Sequence, residues 1–73
     1  MNVIQTIVDQ MNYYVEQGDH QKEEYRETGE AKFLRMEWFY YNRALALCDL
    51  LWVNLDAISE SEYDNIRIHI FGI

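Results

Sequence analysis

Polar and apolar positions follow a helical period from the start of the chain. Val3, Ile4, Ile7, Val8, Met11, Tyr14 and Val15 share one side, and Gln5, Asp9, Asn12 and Glu16 lie opposite. At about 100° per residue the apolar set fills an arc of roughly 140°. The pattern predicts an amphipathic helix over residues 2–17, capped by Asn2 and ended by Gly18. Tyr13 projects from its polar face, either as an ordinary exposed tyrosine or as a contact residue for a partner. Residues 18–30, GDHQKEEYRETGE, carry no apolar face and read as a polar connector, containing a short helix or a frayed extension of the next one. A tight hairpin with the long helix starting at His20 would set the first helix against this charged stretch and strand its apolar arc in water. A broader turn is therefore expected.

The strongest signal runs over residues 31–55. Ala31, Leu34, Trp38, Tyr41, Leu45, Cys48, Trp52 and Leu55 alternate spacings of three and four without a miss, the seam of a helix packed along its length. A second row, Phe33, Tyr40, Ala44, Leu47 and Leu51, widens the apolar arc to roughly 200° by the same rotation, with Glu37 as its one charged interruption. A helix this apolar needs more than one neighbour. The tail allows two readings. Ile66, Ile68 and Ile70 alternate as a strand would, whereas Tyr63, Ile66, Ile70 and Ile73 fit helical spacing. Ser59 followed by Glu62 forms a capping-box sequence, so a short helix over about 60–71 is preferred, with an intermolecular strand as the alternative. The expected fold class is all-α: one domain over 1–73, a helical hairpin with a long central helix plus a short C-terminal helix, completed by dimerisation.

Size and charge narrow the functional range. At 73 residues, with 49% apolar and 15% aromatic residues, a single domain buries only about 60% of the surface its unfolded chain exposes. Three glycines and no proline suit helices rather than a turn-rich sandwich. One cysteine excludes a disulfide framework within the chain and a four-cysteine zinc site, which points to a reducing, cytoplasmic setting. No stretch reads as a signal peptide or a membrane span. Net charge −7 repels phosphate backbones and anionic lipid, so neither direct nucleic-acid binding nor membrane attachment is expected. A basic protein partner or simple solubility remains.

Constellations that carry chemistry are thin, and no catalytic, cofactor or metal site is expected. Cys48 occupies a seam position, where a thiol behaves as a small buried hydrophobe rather than as a nucleophile served by His20 or His69. Glu16, His20 and Glu24 would line up as ligands on a continuous helix, but Gly18 and Asp19 are expected to interrupt it. His69 reads as a surface residue. The run Trp38, Phe39, Tyr40 and Tyr41 points in four directions, so one core cannot bury it all. Phe39, Leu50 and Val53 fall on the polar side and, unless the last helix covers them, form an exposed patch of the kind that marks interfaces. Tyr13, Trp38, Phe39, Tyr40, Leu50 and Val53 are the candidate interface residues, and Glu23, Glu24, Glu27 and Glu30 the candidate acidic surface.

Three stretches carry a resemblance: YYVEQGD at 13–19, GEAKFLRMEW at 29–38 and ISESEYDNI at 58–66. With them the chain resembles the small, acidic, helical proteins common in phages and prophages of Gram-positive bacteria, and the last stretch is similar to the short C-terminal helix of SHOCT-type tails. That resemblance implies binding and inhibition of a host protein, including anti-CRISPR and other anti-defence activities in the host cytoplasm, and it carries no catalytic residues. The expected function is a non-enzymatic protein–protein interaction module, a homodimer whose acidic surface meets a basic host protein. The alternative is a structural or assembly subunit that only self-associates.

Overall fold

The computed structural model describes residues 2–72, and they form three helices with no strand among the described residues. The first, α1, spans Val3–Thr28. Its start is fixed by Asn2, whose side chain accepts the Gln5 backbone N–H at 3.2 Å, relieving one of the amides that a helix N-terminus leaves unpaired. Its end is fixed by Gly29, which takes a left-handed φ of 70° while its N–H donates to the Tyr25 carbonyl. The second, α2, begins immediately afterwards and spans Ala31–Asp49, continuing into a wider π-helical turn over Leu50–Asn54.

The expected connector at 18–30 is thus helix as far as Thr28, and the broad turn is a tight one. Gly18 does not end the first helix. It lies buried inside α1, with the Tyr41 ring resting where a side chain would be. The expectation failed because it treated the polar segment as the start of a new element. As one continuous helix of 26 residues, about 39 Å long, α1 matches α2 and its π turn in length. Its polar half lines the first part of α2, and its apolar arc stays packed on the second part. Lys22 and Tyr25 are half-buried along this stretch, and a lysine stem can cover apolar surface.

The inward line of α2 is also rotated from the expected seam. Tyr41, Ala44, Cys48 and Leu51 are fully buried, and Glu37 is buried on the same line. Only Tyr41 and Cys48 belong to the expected seam. Its other members, Ala31, Leu34, Trp38 and Leu55, are exposed, while Leu45 and Trp52 are half-buried. The small Gly18 and Ala44 allow the hairpin helices to meet along this line. Met11 of α1, Ile58 of the following loop and Ile70 complete the core.

The chain leaves α2 through the π turn, where the Leu55 N–H reaches the Leu50 carbonyl at 3.0 Å and the Ala57 N–H reaches the Leu51 carbonyl at 2.7 Å. Asp56, at φ 49°, turns it back, a conformation that aspartate tolerates better than most residues. The third helix, α3, spans Glu60–Phe71, as the capping-box sequence predicts. Ser59 Oγ accepts the Glu62 N–H at 3.1 Å, and Glu62 Oε1 accepts the Ser59 N–H at 3.2 Å. Tyr63 stacks on Trp52 with centroids 4.2 Å apart, and Phe71 lies 6.0 Å from Trp38, so α3 runs antiparallel to α2. The result is an all-α arrangement of a hairpin with α3 on one of its two faces. It measures 39 × 28 × 13 Å between Cα extremes, with a radius of gyration of 13.0 Å, against about 11 Å for a compact chain of this length.

Candidate interaction surface

The hairpin face turned away from α3 carries a connected aromatic layer. Tyr14 of α1 stacks on Tyr40 of α2, with centroids 6.3 Å apart and planes at 27°. Tyr13 meets Tyr14 edge to face at 5.5 Å, and Phe39 meets Tyr40 in the same manner at 5.3 Å. The Arg43 guanidinium lies 4.5 Å from the Phe39 ring centre and 5.8 Å from that of Tyr14, the arrangement in which a cation is drawn to the negative ring face. Beside this layer, Gln10, Tyr14, Arg43, Ala46 and Leu47 line a shallow groove of about 260 Å³.

Of the candidate interface residues, Tyr13, Phe39 and Tyr40 come together in this layer. Tyr13 is 52% exposed and Phe39 46%. Phe39, Arg43, Ala46, Leu50 and Val53 continue as a line at spacings of four and three along α2 into the π turn, where Leu50 is half-buried and Val53 is 68% exposed. The last helix does not cover Phe39 or Val53, because it lies on the other face. Trp38 is on that other face, between Tyr41 and Phe71. Tyr14 belongs to the apolar set of the first helix, and Arg43 lies a full helix away in the sequence. Only the hairpin register brings them into one cluster.

The acidic candidates gather near the hairpin turn. Arg26 pairs with Glu23 at 3.4 Å and Lys32 with Glu30 at 3.3 Å, both exposed and so worth little individually. Glu27 is exposed and Glu24 half-buried, and neither forms an ion pair among the described residues.

A polar joint ties the three helices together. The Asp19 carboxylate of α1 accepts the Tyr41 hydroxyl of α2 and contacts His69 Nε2 of α3 at 2.9 and 3.0 Å. His69 is thus a tertiary contact as well as a surface residue. Burial, then the hydrogen bond to Asp19 and the negative charges of Asp19 and Glu37, push the Tyr41 phenol well above its usual range, with Arg26 opposing. Burial, followed by the charge of Asp49, pushes the Cys48 thiol up to about 11. Both groups therefore keep their protons at neutral pH and serve as packing and hydrogen-bonding groups. Continuity of α1 through Gly18 does set Glu16, His20 and Glu24 on one helix, yet among the described residues no three metal-ligating side chains come close enough to hold an ion. Among the described residues no helix is long and apolar enough to cross a membrane. Set against protein-family models, curated proteins and solved structures, the chain matches none of them significantly.

Proposed function

We propose that the chain is a non-enzymatic protein–protein interaction module whose working surface is the aromatic face of the hairpin, and that a second copy covers this face. The observation that carries the reading is the aromatic layer around Arg43, in which Tyr13 and Phe39 are exposed and Tyr14 and Tyr40 half-buried. Aromatic residues and arginine are the side chains that dominate interface energetics, and contiguous exposure of several of them on so small a chain marks an interaction site. The acidic turn, with Glu23, Glu24, Glu27 and Glu30, offers a surface to a basic host protein. Together with the likeness to small phage proteins, this supports an inhibitor acting in the host cytoplasm. The alternative is a structural subunit that only self-associates.

Sedimentation of the pure protein across concentration tests the reading. A concentration-dependent dimer is expected, and Phe39→Ser should raise its dissociation constant at least tenfold, because truncating an aromatic anchor costs more than about 1 kcal/mol and occurs twice in a symmetric dimer. A chain that stays monomeric at every concentration overturns self-association.

A further inference from the structure

We propose, resting on the self-association reading above, that the two copies pack about a two-fold axis parallel to their helices, so that α1 of each copy lies over α2 of the other. Glu16 and Glu27 then meet Arg43 and Lys32 of the second copy along the rim.

The argument begins with register. Gly18 packs on Tyr41, so these two residues are level along the hairpin, and both helices rise about 1.5 Å per residue in opposite directions. Two residues from Gly18 toward the N-terminus is Glu16, and the matching step from Tyr41 is Arg43. Six residues toward the turn pairs Glu24 with Arg35, and nine pairs Glu27 with Lys32. All the cations of α2 are thereby level with a carboxylate of α1. By the helical step, Glu16, Glu27, Arg43 and Lys32 each project within about 20° of the direction opposite the line where α1 and α2 meet, the Arg43 guanidinium lying over Phe39 and Tyr14, whereas Glu24 and Arg35 lean toward opposite faces of the hairpin. None of these pairs closes among the described residues.

Two symmetric ways of laying one aromatic face on another preserve the helix directions. An axis across the helices stacks α1 on α1 and α2 on α2. An axis along them stacks α1 on α2 in both halves and keeps every residue at its own level. Charge separates the two. By count of ionisable residues, α1 carries net −4 and α2 net +1, so the first arrangement opposes two strongly acidic helices and the second opposes an acidic helix to a basic one. The second also gives an antiparallel four-helix core and sets Tyr13 level with Ala46, a small residue beside the groove. The hairpin face, roughly 20 by 36 Å, offers about 700 Å² in projection, within the range of a specific dimer's share. Apolar rings then occupy the centre and charged pairs the rim, the usual anatomy of an interface. Glu27 joins the Lys32–Glu30 pair of the second copy, and Glu23 keeps Arg26 within the chain.

Charge reversal tests the register. Arg43→Glu places acid against Glu16 of the other copy twice per dimer, and Glu16→Arg places base against Arg43 twice. Each variant alone should self-associate about tenfold more weakly than the native chain. An equimolar mixture of the two should form a heterodimer as tightly as the native dimer, with far-UV circular dichroism unchanged throughout. Single variants that dimerise as well as the native chain, or a mixture that gains nothing over its components, overturn the register while leaving self-association standing. A native chain that is monomeric at all concentrations overturns both.

Discussion

Gly18 is a point of close contact between the two long helices, and its lack of a side chain is what makes room for the Tyr41 ring against α1. A glycine inside a helix costs about 1 kcal/mol relative to alanine, so on propensity alone Gly18→Ala should stabilise α1. A Cβ at this position would overlap Cδ1 and Cε1 of the ring, which is fully buried and held at its hydroxyl by Asp19. Overpacking of this kind costs about 1–3 kcal/mol. Gly18→Ala is therefore expected to lower the urea midpoint, and an unchanged or raised midpoint would refute the close approach. The protonation states of Tyr41 and Cys48 carry a second expectation. The folded thiol holds its proton to about pH 11, against an ordinary value of 9, and the folded phenol likewise holds its proton beyond its usual range near 10. Between the unfolded and folded values the native state binds more protons than the unfolded chain, so stability falls as pH rises. The contribution is complete below about pH 9 and is lost toward pH 11 for the thiol, with the phenol extending the decline. Unfolding free energies at pH 8, 9.5 and 11 should show this slope, and Cys48→Ala should remove its lower part.

At the scale of the element, α3 is the piece with least of its own to hold it. It has 12 residues, too few for independent stability in water, and its hold on the hairpin rests on Ile70, on rings stacked at Trp38 and Trp52, and on two polar contacts, Tyr63 with Asp49 at 2.7 Å and His69 with Asp19. The capping box sets where this helix begins, and with it the alignment of Tyr63 and Phe71 on α2. Ser59→Ala removes the acceptor for the Glu62 N–H and should cost about 1 kcal/mol. Because the loss falls on α3, the near-ultraviolet signal of Trp52 should weaken at temperatures where the far-ultraviolet helix signal of the hairpin persists. Coincident loss of both signals at the native midpoint would show that the cap contributes nothing to docking. The capping box and the extent of α3 were legible in the sequence because both are local: a hydroxyl, a carboxylate and the three residues between them suffice.

For the whole molecule, the decisive fact is that α3 covers one face of a hairpin that has two. The radius of gyration exceeds that of a compact chain by about 2 Å, and the uncovered face is where Tyr13, Tyr14, Phe39 and Tyr40 meet Arg43. A second copy laid on that face would supply the missing layer, which is why both tests of function read association rather than chemistry. By itself the sequence determined the all-α class, the long central helix and the capped third helix, since periodicity and capping act over a few residues. It also raised the expectation of an apolar surplus, and Phe39 and Val53 are exposed. It did not determine that α1 runs on to Thr28, because a polar segment becomes helical here only by lying along α2. It did not determine which line of α2 faces inward, because an apolar arc of roughly 200° offers several such lines. The choice fell to Tyr41, Ala44, Cys48 and Leu51 through the contact at Gly18, and it turned Trp38 toward α3. Asp19, Tyr41 and His69 come from three helices, and no local pattern joins residues so far apart in the chain. Tertiary packing alone decided these, because it fixes the rotation and register of helices whose existence the sequence already implies.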